Sequence, residues 1–353
     1  MNTRVFRWLL AACCSLTPVF TVQATEALQQ PAVQGPQALR AVLQDVTRAG
    51  NRLVAVGERG VVLLSDDNGL HWRQATAVPV SVGLNAVQFV DARTGWAVGH
   101  AGVVLRSEDG GEHWALQLDG LRVAAVELRA AEASADSARI DAARRLVADG
   151  ADKPWLALSF SDAGHGLIVG AYGLALATAD GGRTWQSQGA RLPNPGGLHL
   201  YALARQGRDL FMAGEQGLLL RSRDGGEHFQ ALDGPYEGSY FSLALLPDGR
   251  LMVGGLRGKL FVSRDNGDNF ETLANPIPAS LNAIRVTGNQ VLLANQAGLL
   301  LRSGLNEFVA TPQAVSEGLP LTAVTQAADG ALITVGMAGV RRLTSSSTSF
   351  AAD

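Results

Sequence analysis

The sequence predicts an all-β fold, a seven-bladed β-propeller of four-stranded antiparallel blades. An apolar strand, a Gly-x-x-Gly-like turn and a second apolar strand recur seven times along the chain. The first position of that turn falls at residues 57, 99, 170, 214, 255, 295 and 336, so the period is 40–44 residues except for one step of 71. An eight-residue turn follows the first five copies. Short β-rich repeats of this length, punctuated by glycine, are typical of propeller blades.

The first 24 residues have the layout of a secretory signal peptide, which leaves residues 25–353 as a single propeller domain. Arg4 and Arg7 precede a mostly apolar stretch at residues 8–20, and residues 22–24 read Val-Gln-Ala, a small-x-small cleavage signal. We therefore expect a periplasmic or secreted protein, cleaved after Ala24. The alternative is a bacterial lipoprotein box at residues 10–13, which would place a lipid on Cys13.

The composition limits the classes of partner that the protein is expected to bind. Removal of residues 1–24 removes both cysteines, and 27 basic against 32 acidic residues leaves a net charge of −5. An exported acidic chain is a poor candidate for binding nucleic acid. No cofactor, metal site, disulfide or further membrane-spanning segment is predicted, and we expect a monomer.

Each blade is assembled from the repeat in a fixed order. An innermost strand A precedes each copy, as at residues 84–90, 240–246 and 281–286, and a short turn leads to strand B. Strand C follows the Gly-x-x-Gly turn, and the eight-residue turn connects C to D. The seventh copy lacks the eight-residue turn, so its outer strand is expected either from residues 345–351 or from residues around 30–38.

The eight-residue turn has the pattern Ser/Thr-x-Asp-x-Gly-x-x-Trp/Phe, which resembles the Asp box of sialidase-type propellers. Short oxygen-bearing side chains can hydrogen-bond nearby amides, glycine supplies a positive φ, and the aromatic ring wedges between sheets. Because the same aspartate recurs in five blades, we interpret the box as a structural joint. The five boxes are Ser65/Asp67/Gly69/Trp72, Ser107/Asp109/Gly111/Trp114, Thr178/Asp180/Gly182/Trp185, Ser222/Asp224/Gly226/Phe229 and Ser263/Asp265/Gly267/Phe270.

Catalysis is not expected. Sialidases carry an Arg-Ile-Pro segment and a tyrosine nucleophile, whereas this chain has no Arg-Ile-Pro and only four tyrosines. No phosphate loop, Ser-His-Asp grouping or metal-spaced histidine set is present. His71, His113 and His228 occupy one equivalent box position and would lie far apart around the ring. The alternative function is a glycan- or small-ligand-binding propeller, or a diverged glycosidase.

A closer resemblance is carried by the segments AVGERGVVLLSDDNGLHW (55–72) and AVGHAGVVLRSEDGGEHW (97–114). They resemble the blades of the photosystem II stability/assembly factor-like family, and the match extends along the mature chain, weakening in the last two blades. The resemblance implies a protein-binding scaffold whose partner belongs to a membrane complex or transporter. It also implies partner contacts through a basic surface patch. Arginines in or beside the motifs are Arg59, Arg106, Arg221, Arg223, Arg257, Arg264 and Arg302.

Propeller topology predicts where the partner binds. B–C turns and the links between blades share one rim, which we call the linker rim; A–B turns and Asp boxes share the other, the box rim. The step of 71 places an insertion at about 119–153 on the linker rim. Within it, residues 134–150 predict a helix capped by Ser134 or Asp136, with an apolar face of Ile140, Ala143, Leu146 and Val147.

The insertion is expected either to cover an exposed edge or to dock a partner, with residues 186–199 and the Tyr236/Tyr240 loop as accessory contacts. The residues predicted to bind the partner are Arg59, His100, Tyr172, Glu215, Arg257, Tyr236, Arg144 and Arg145.

Overall fold

A computed structural model describes residues 22–343, with side chains from residue 26 onward. The predicted signal peptide, with Cys13, and residues 345–351 fall outside this range, except for residues 22–24. Those three residues begin a short helix, α1 (Val22–Gln29).

The described residues form seven antiparallel sheets in sequence order, which confirms the predicted propeller. Each sheet runs from an innermost strand A outward, and each innermost strand contacts the next around the ring, with β1 contacting β25 to close it. The strands of blades 1 to 4 are β1 (Leu43–Ala49), β2 (Arg52–Gly57), β3 (Val62–Ser65), β4 (Arg73–Gln74), β5 (Leu84–Phe89), β6 (Gly95–Gly99), β7 (Val104–Ser107), β8 (Ala115–Leu118), β9 (Trp155–Phe160), β10 (Gly166–Gly170), β11 (Ala175–Thr178), β12 (Gln186–Ser187), β13 (Leu200–Gln206), β14 (Asp209–Gly214), β15 (Leu219–Ser222) and β16 (Gln230–Ala231). Those of blades 5 to 7 are β17 (Tyr240–Leu245), β18 (Leu251–Gly255), β19 (Leu260–Ser263), β20 (Glu271–Thr272), β21 (Leu281–Thr287), β22 (Gln290–Asn295), β23 (Leu299–Gly304), β24 (Thr311–Ala314), β25 (Leu321–Gln326), β26 (Leu332–Gly336) and β27 (Gly339–Leu343).

The second strand of each blade is apolar on both faces because each blade is sandwiched between two neighbours. In β6, β10, β18 and β26 every residue is buried. The core is therefore a series of apolar layers between adjacent sheets. One such layer joins Leu53 and Leu63 of blade 1 to Ile333 and Val335 of blade 7, across the closure of the ring.

Blade 7 has three strands within residues 22–343. Residues Pro36–Arg40, near which one of the two expected outer strands was placed, form a 3-10 helix that contacts β27 instead of pairing with it. The chain before it runs along blade 1, where the Ala32 N–H donates to the Val78 carbonyl at 3.0 Å and the Ser81 N–H donates to the Ala27 carbonyl at 2.9 Å. This N-terminal segment therefore spans the junction between the first and last blades.

The Asp boxes form the C–D turns and have one hydrogen-bond pattern. In blade 1, the Ser65 hydroxyl donates to Asp67 at 2.9 Å and accepts from the Gly69 N–H at 2.8 Å. Asp67 also accepts from the backbone N–H of His71 at 2.9 Å. The other four boxes repeat these bonds between equivalent atoms.

The box glycines all adopt positive φ, between +86° and +101°, values that side-chain-bearing residues rarely adopt. Their surroundings differ more than the repeated pattern indicates. A Cβ on Gly182, which is buried, would lie 2.0 Å from Gln117 Oε1 of the preceding blade. Gly226 is only half-buried, and a Cβ there would come no closer than 3.5 Å to Leu210. Glycine is therefore required by both space and φ in blade 3, and by φ in blade 4. The five glycines are Gly69, Gly111, Gly182, Gly226 and Gly267.

The box aromatics lie in the apolar layer between their own blade and the preceding one, but the box has two forms. Trp114 and Trp185 are buried and Trp72 is half-buried; the indole N–H groups donate to the carbonyl of the box glycine at 2.9, 3.1 and 3.2 Å, respectively. Phe229 and Phe270 are half-buried and lack this donor. The wedge is therefore hydrogen-bonded in blades 1 to 3 and purely apolar in blades 4 and 5.

Several box turns are held by the preceding blade. Arg52 of blade 1 donates to the Gly110 carbonyl at 3.2 Å, and Trp96 of blade 2 donates to the Gly181 carbonyl at 3.3 Å. The ring closes in the same way, since Arg342 of blade 7 donates to the Asn68 carbonyl at 3.0 Å. These bonds join neighbouring sheets at the box rim.

A second set of bonds joins innermost strands close to the linker rim. The residue after the first residue of strand A donates to a carbonyl of the next blade in three blades. Asn85 donates to Trp155 at 2.8 Å, Asn282 to Leu321 at 2.7 Å and Thr322 to Leu43 at 2.8 Å. We call these three bonds the inner latches.

Candidate partner-binding rim

The linker rim carries five B–C turns with the same unusual backbone. In each, a non-glycine residue adopts a left-handed conformation, with φ between 51° and 57°, and a glycine follows at positive φ. L-residues lose roughly 1–2 kcal/mol there. The five residues are Arg59, Ala101, Tyr172, Gln216 and Arg257. The turn therefore fixes the position of each side chain on the rim.

The structure places five of the predicted partner-binding residues in these turns. Arg59, His100 and Arg257 are exposed, and Tyr172 retains 60% of its accessible surface. Glu215 is engaged within the protein, because it accepts from the His199 N–H at 2.8 Å and from the Tyr201 hydroxyl at 3.3 Å. Glu58 has a similar role in blade 1, accepting from the Val42 N–H at 3.1 Å.

The other predicted contacts differ in exposure. Arg144 and Arg145 are both exposed in the insertion. Tyr236 is half-buried, with its ring 6.3 Å from that of Phe261, and its carbonyl accepts from the Tyr240 hydroxyl at 3.1 Å. Its main contacts are therefore packing contacts inside blade 5.

The motif arginines do not form one patch. Arg59 and Arg257 lie in turns of the linker rim, whereas Arg221 is 3% exposed and donates to the Asn266 carbonyl in the next box at 2.5 Å. Arg106 lies over the Trp96 ring, 5.6 Å from its centroid. Arg221 and Arg106 therefore stabilise the blades, while Arg223 and Arg264 are exposed beside the box turns of blades 4 and 5, away from Arg59 and Arg257.

The insertion contains two helices, α2 (Gly120–Ser134) and α3 (Ser137–Asp149). The helix predicted at 134–150 is α3; Asp136 is its N-cap, accepting from the N–H groups of Ala138 and Arg139, and Gly150 follows it. Ala143 is buried as predicted, but Val147 is 47% exposed because it lies on the outer side of the helix. The first helix, capped by Asp119, was not predicted.

Helix α2 packs onto the propeller. It contacts β12, the outer strand of blade 3, and buries Val123 in the layer that contains Trp155 and Trp96. A close approach to blade 2 is made by glycines: a Cβ on Gly102 would lie 2.5 Å from the Gly120 Cα. Helix α2 is therefore the part of the insertion that covers the edge of the blades, and α3 lies outside α2.

A groove of about 510 Å³ lies between the two helices and blade 3. Its apolar walls include Ala143, Leu146 and Leu192, and Tyr172 and Lys153 stand beside them. Glu127 also lines it; one carboxylate oxygen accepts from the Ser187 hydroxyl at 2.8 Å, and the other has no partner among the described residues. Burial raises the pKa of Glu127, against the smaller opposing effects of Ser187 and Arg139.

Four aromatic rings run from this groove to the central channel, and we call them the aromatic strip: Tyr172, His199, Tyr201 and Phe241. Successive ring centroids are 4.9, 6.1 and 5.3 Å apart. Tyr172 lines the groove, and Phe241 lines the channel cavity of about 470 Å³ between the innermost strands. Burial, followed by the Glu215 charge, raises the pKa of Tyr201.

Lys153 is stacked on the outer end of the aromatic strip. Its ammonium group lies 4.8 Å from the Tyr172 ring centroid and 3.0 and 2.7 Å from carboxylate oxygens of Asp149 and Asp152. Burial disfavours the charged amine, but the hydrogen bonds to Asp152 and Asp149 outweigh it and raise the Lys153 pKa. The lysine is therefore a fixed cation on an aromatic face.

Sequence reasoning missed Tyr201, Phe241 and Lys153, whereas His199 is the last residue of the stretch 186–199 that was expected to make accessory contacts. A signal for two of them was present, because Tyr201 and Phe241 occupy the inner-latch position of strand A, where blades 2, 6 and 7 have Asn85, Asn282 and Thr322. Blade 3 has Leu156 at this position. In blade 5, Ser242 supplies a bond to the Leu281 carbonyl at 3.0 Å, which leaves Phe241 without a latching role.

The three box histidines do not converge. His71, His113 and His228 each contact the aspartate of their own box through Nδ1, at 2.7 to 2.8 Å. Residues 22–343 bring together no group of three or more His, Cys, Asp or Glu side chains suited to holding a metal ion. Over the same residues, no helix combines the length and apolar character needed to span a membrane.

Comparison with known proteins agrees with the predicted resemblance. Residues 140–234 match the family described as photosynthesis system II assembly factor YCF48. The photosystem II assembly lipoprotein Ycf48 of Synechococcus sp. (strain CC9902) is 35% identical over 77 residues, which are 22% of this chain and 23% of that protein. The match thus spans about a quarter of that relative. The predicted resemblance to the assembly-factor family is confirmed.

Solved structures share the fold along most of the chain. A structure titled YCF48 bound to D1 peptide has a TM-score of 0.63 at 19% identity, covering 89% of this chain and 96% of the other. YCF48 from Cyanidioschyzon merolae gives 0.62 at 15% identity, over 85% and 94%. The WD40 propeller domain of Doa1 also gives 0.62, at 12% identity over 90% and 95%. The assembly-factor names of the relatives agree with the predicted non-enzymatic function.

Proposed function

We propose that this protein is an exported, non-enzymatic scaffold that binds a protein of a membrane complex or transporter through its linker rim. The similarity to assembly factors, one of them titled as bound to a peptide, supports a protein partner. The lipoprotein in that comparison also supports retaining Cys13 as an alternative site of membrane attachment.

The linker rim is chosen because of the distribution of exposed apolar side chains. Large apolar residues exposed by more than a third lie mostly on the linker rim and its insertion, apart from Val33 and Leu39 in the N-terminal segment, and the rim that exposes most of them is the better candidate for an interaction site. On that side are Leu121, Val147, Tyr172, Leu256, Leu319 and Met337; on the box rim are Leu70 and Val309.

Capture from detergent extracts of the host membrane tests the proposal. Deletion of residues 121–150 would remove Val123 and uncover the apolar layer into which it packs, so point changes are preferable. The triple variant Tyr172→Ala, Leu256→Ser, Met337→Ser removes rim contacts from three blades, and Leu70→Ser is the matched control on the box rim. We expect the triple variant to lose at least tenfold in captured partner and the control to lose none.

The proposal fails if the triple variant, with an unchanged circular dichroism spectrum, captures the same proteins in the same amounts. It also fails if Leu70→Ser abolishes capture while the triple variant does not. A substitution by alanine at position 172 is compatible with the turn because Ala101 adopts the same conformation in blade 2, with φ 54° against 57°.

A further inference from the structure

We propose that the aromatic strip binds an extended peptide segment that carries arginine side chains at alternate positions. This inference rests on the proposed function and specifies the partner chemistry at one part of the linker rim. It starts from the inner-latch position, where Leu156, Tyr201 and Phe241 form no latch; in blade 5 the bond to the next blade comes from Ser242 instead. Residues that give up a stabilising bond in favour of partly exposed rings are typical of binding surfaces.

Glu215 engages hydrogen-bonding groups of two members of the strip. Glu215 accepts from the Tyr201 hydroxyl at 3.3 Å and contacts His199 Nδ1 at 3.0 Å. At Tyr201 the surface therefore offers a ring face rather than a free donor. A sugar needs polar contacts around its stacking platform, whereas a cation needs only the negative face of the ring.

Charge complementarity points to a cationic occupant. Glu215 lies next to Tyr201 and His199, and Asp149 and Asp152 flank the outer end, each with 48% of its side chain exposed. The chain already places its own cation, Lys153, 4.8 Å from the Tyr172 centroid. Aromatic faces next to carboxylates favour guanidinium, which is planar and stacks well.

The dimensions fit an extended segment. Followed from ring to ring, the path along the centroids is roughly 16 Å long, in steps of 4.9 to 6.1 Å. Alternate residues of an extended strand lie about 6.6 Å apart on one side, so two or three arginines would cover the strip. The groove at one end and the channel at the other provide space for the peptide to continue.

Fluorescence anisotropy with a defined probe tests the inference. The probe is a fluorescein-labelled peptide, Gly-Arg-Ala-Arg-Ala-Arg-Ala-Gly, and the control peptide has glutamate in place of arginine. We expect the arginine peptide to bind and the glutamate peptide not to bind. Tyr201→Ala and Phe241→Ala should each weaken binding about tenfold, and Glu215→Gln at least threefold.

Two variants separate the ring faces from other effects. Tyr201→Phe keeps the ring and loses only the bond to Glu215, so binding should stay within twofold of wild type. Leu70→Ser leaves the strip intact and should also bind normally. Because an acidic protein attracts basic peptides without specificity, equal binding by wild type and both alanine variants overturns the inference.

Other outcomes also decide the question. Binding of an oligosaccharide on a glycan array that Tyr201→Ala abolishes, without binding of the arginine peptide, overturns it in favour of a glycan site. The same strip variants belong in the membrane capture assay. If Tyr201→Ala still captures the partner and the rim triple variant does not, this inference is wrong and the proposed function is still supported. If every variant captures the partner as wild type does, the proposed function is wrong as well.

Discussion

Replacement of the box serine tests whether the Asp box is a structural joint. Ser263 is fully buried; its hydroxyl donates to Asp265 at 2.8 Å and accepts from the Gly267 N–H at 2.7 Å. Ser263→Ala leaves that N–H without its acceptor and removes one donor from the Asp265 carboxylate. A buried amide left unpaired costs about 1–3 kcal/mol. We therefore expect a loss of about 2 kcal/mol in the free energy of unfolding.

The chain provides its own control for this change. Blade 3 has Thr178 at the equivalent position, and its hydroxyl makes the same two bonds, at 2.9 and 2.8 Å. Ser263→Thr should therefore cost much less than Ser263→Ala. The measurement is urea unfolding followed by circular dichroism, with the slope of the transition checked for a change in cooperativity.

Two results would refute the joint. One is an alanine variant within about 0.5 kcal/mol of wild type, the scatter of ordinary surface substitutions. The other is a threonine variant as unstable as the alanine variant, which would show that side-chain volume rather than the hydroxyl matters. If the box were a reactive site, Ser263→Ala would instead abolish function at full stability.

Three further predictions concern acid, a buried carboxyl and the N-terminus. Hydrogen bonds from neighbouring backbone and side chains lower the pKa to about 2 in several turn aspartates. The contribution of these aspartates to stability is therefore full above about pH 4 and disappears as pH falls toward 2. Thermal unfolding at pH 7, 4 and 2.5 should show this loss, and equal melting temperatures would contradict it. Burial raises the pKa of Glu127, so its ionisation opposes folding as pH rises above about 4.5; Glu127→Gln should be more stable than wild type at pH 7, with the difference shrinking at pH 4. The intact mass of the mature protein should fit an N-terminus at Thr25; a lipid-modified Cys13, lost in Cys13→Ser, would establish the alternative. The turn aspartates are Asp67, Asp162, Asp180 and Asp265.

The fold was predictable because its determinants are local and repeated. Each Gly-x-x-Gly turn and each Asp box fixes the conformation of the chain within a single blade. Because the repeat occurs seven times, its degenerate copies can still be recognised by comparison with the others. The order of the strands and the assignment of turns to rims follow from topology alone. Helix α2 was missed because residues 120–134 interrupt the repeat. Its N-cap, Asp119, directly follows the outer strand β8, whereas Asp136, the N-cap of α3, is not next to a strand.

The candidate site was predictable only in part, because it depends on contacts between blades. Tyr172 and Arg59 were found as variable positions in a repeated turn. The Glu215 carboxylate looked equally variable, yet it accepts bonds from the preceding strand, at His199 and Tyr201. Those aromatic residues stand in or beside strands that look ordinary in sequence, and their succession as a strip appears only when blades 3, 4 and 5 lie side by side.

The missing latches also predict how binding should change the dynamics of the ring. Blades 2, 6 and 7 reach the next blade through Asn85, Asn282 and Thr322, whereas Tyr201 bonds to Glu215 of its own blade. A ligand lying across the strip would join blades 3, 4 and 5 and stabilise the bound state by RT ln(1 + [L]/Kd). At ten times Kd this is about 1.4 kcal/mol, or about tenfold slower exchange of amides that open with that sector.

Hydrogen exchange with the arginine peptide should therefore slow at residues 199–206 and 240–245, while residues 281–287 and 321–326 serve as the internal control. The first two ranges belong to the innermost strands of blades 4 and 5, which carry Tyr201 and Phe241. The control ranges belong to latched strands that lie outside the aromatic strip. Equal slowing in both sectors would indicate binding elsewhere, and the link between absent latches and partner binding would be wrong.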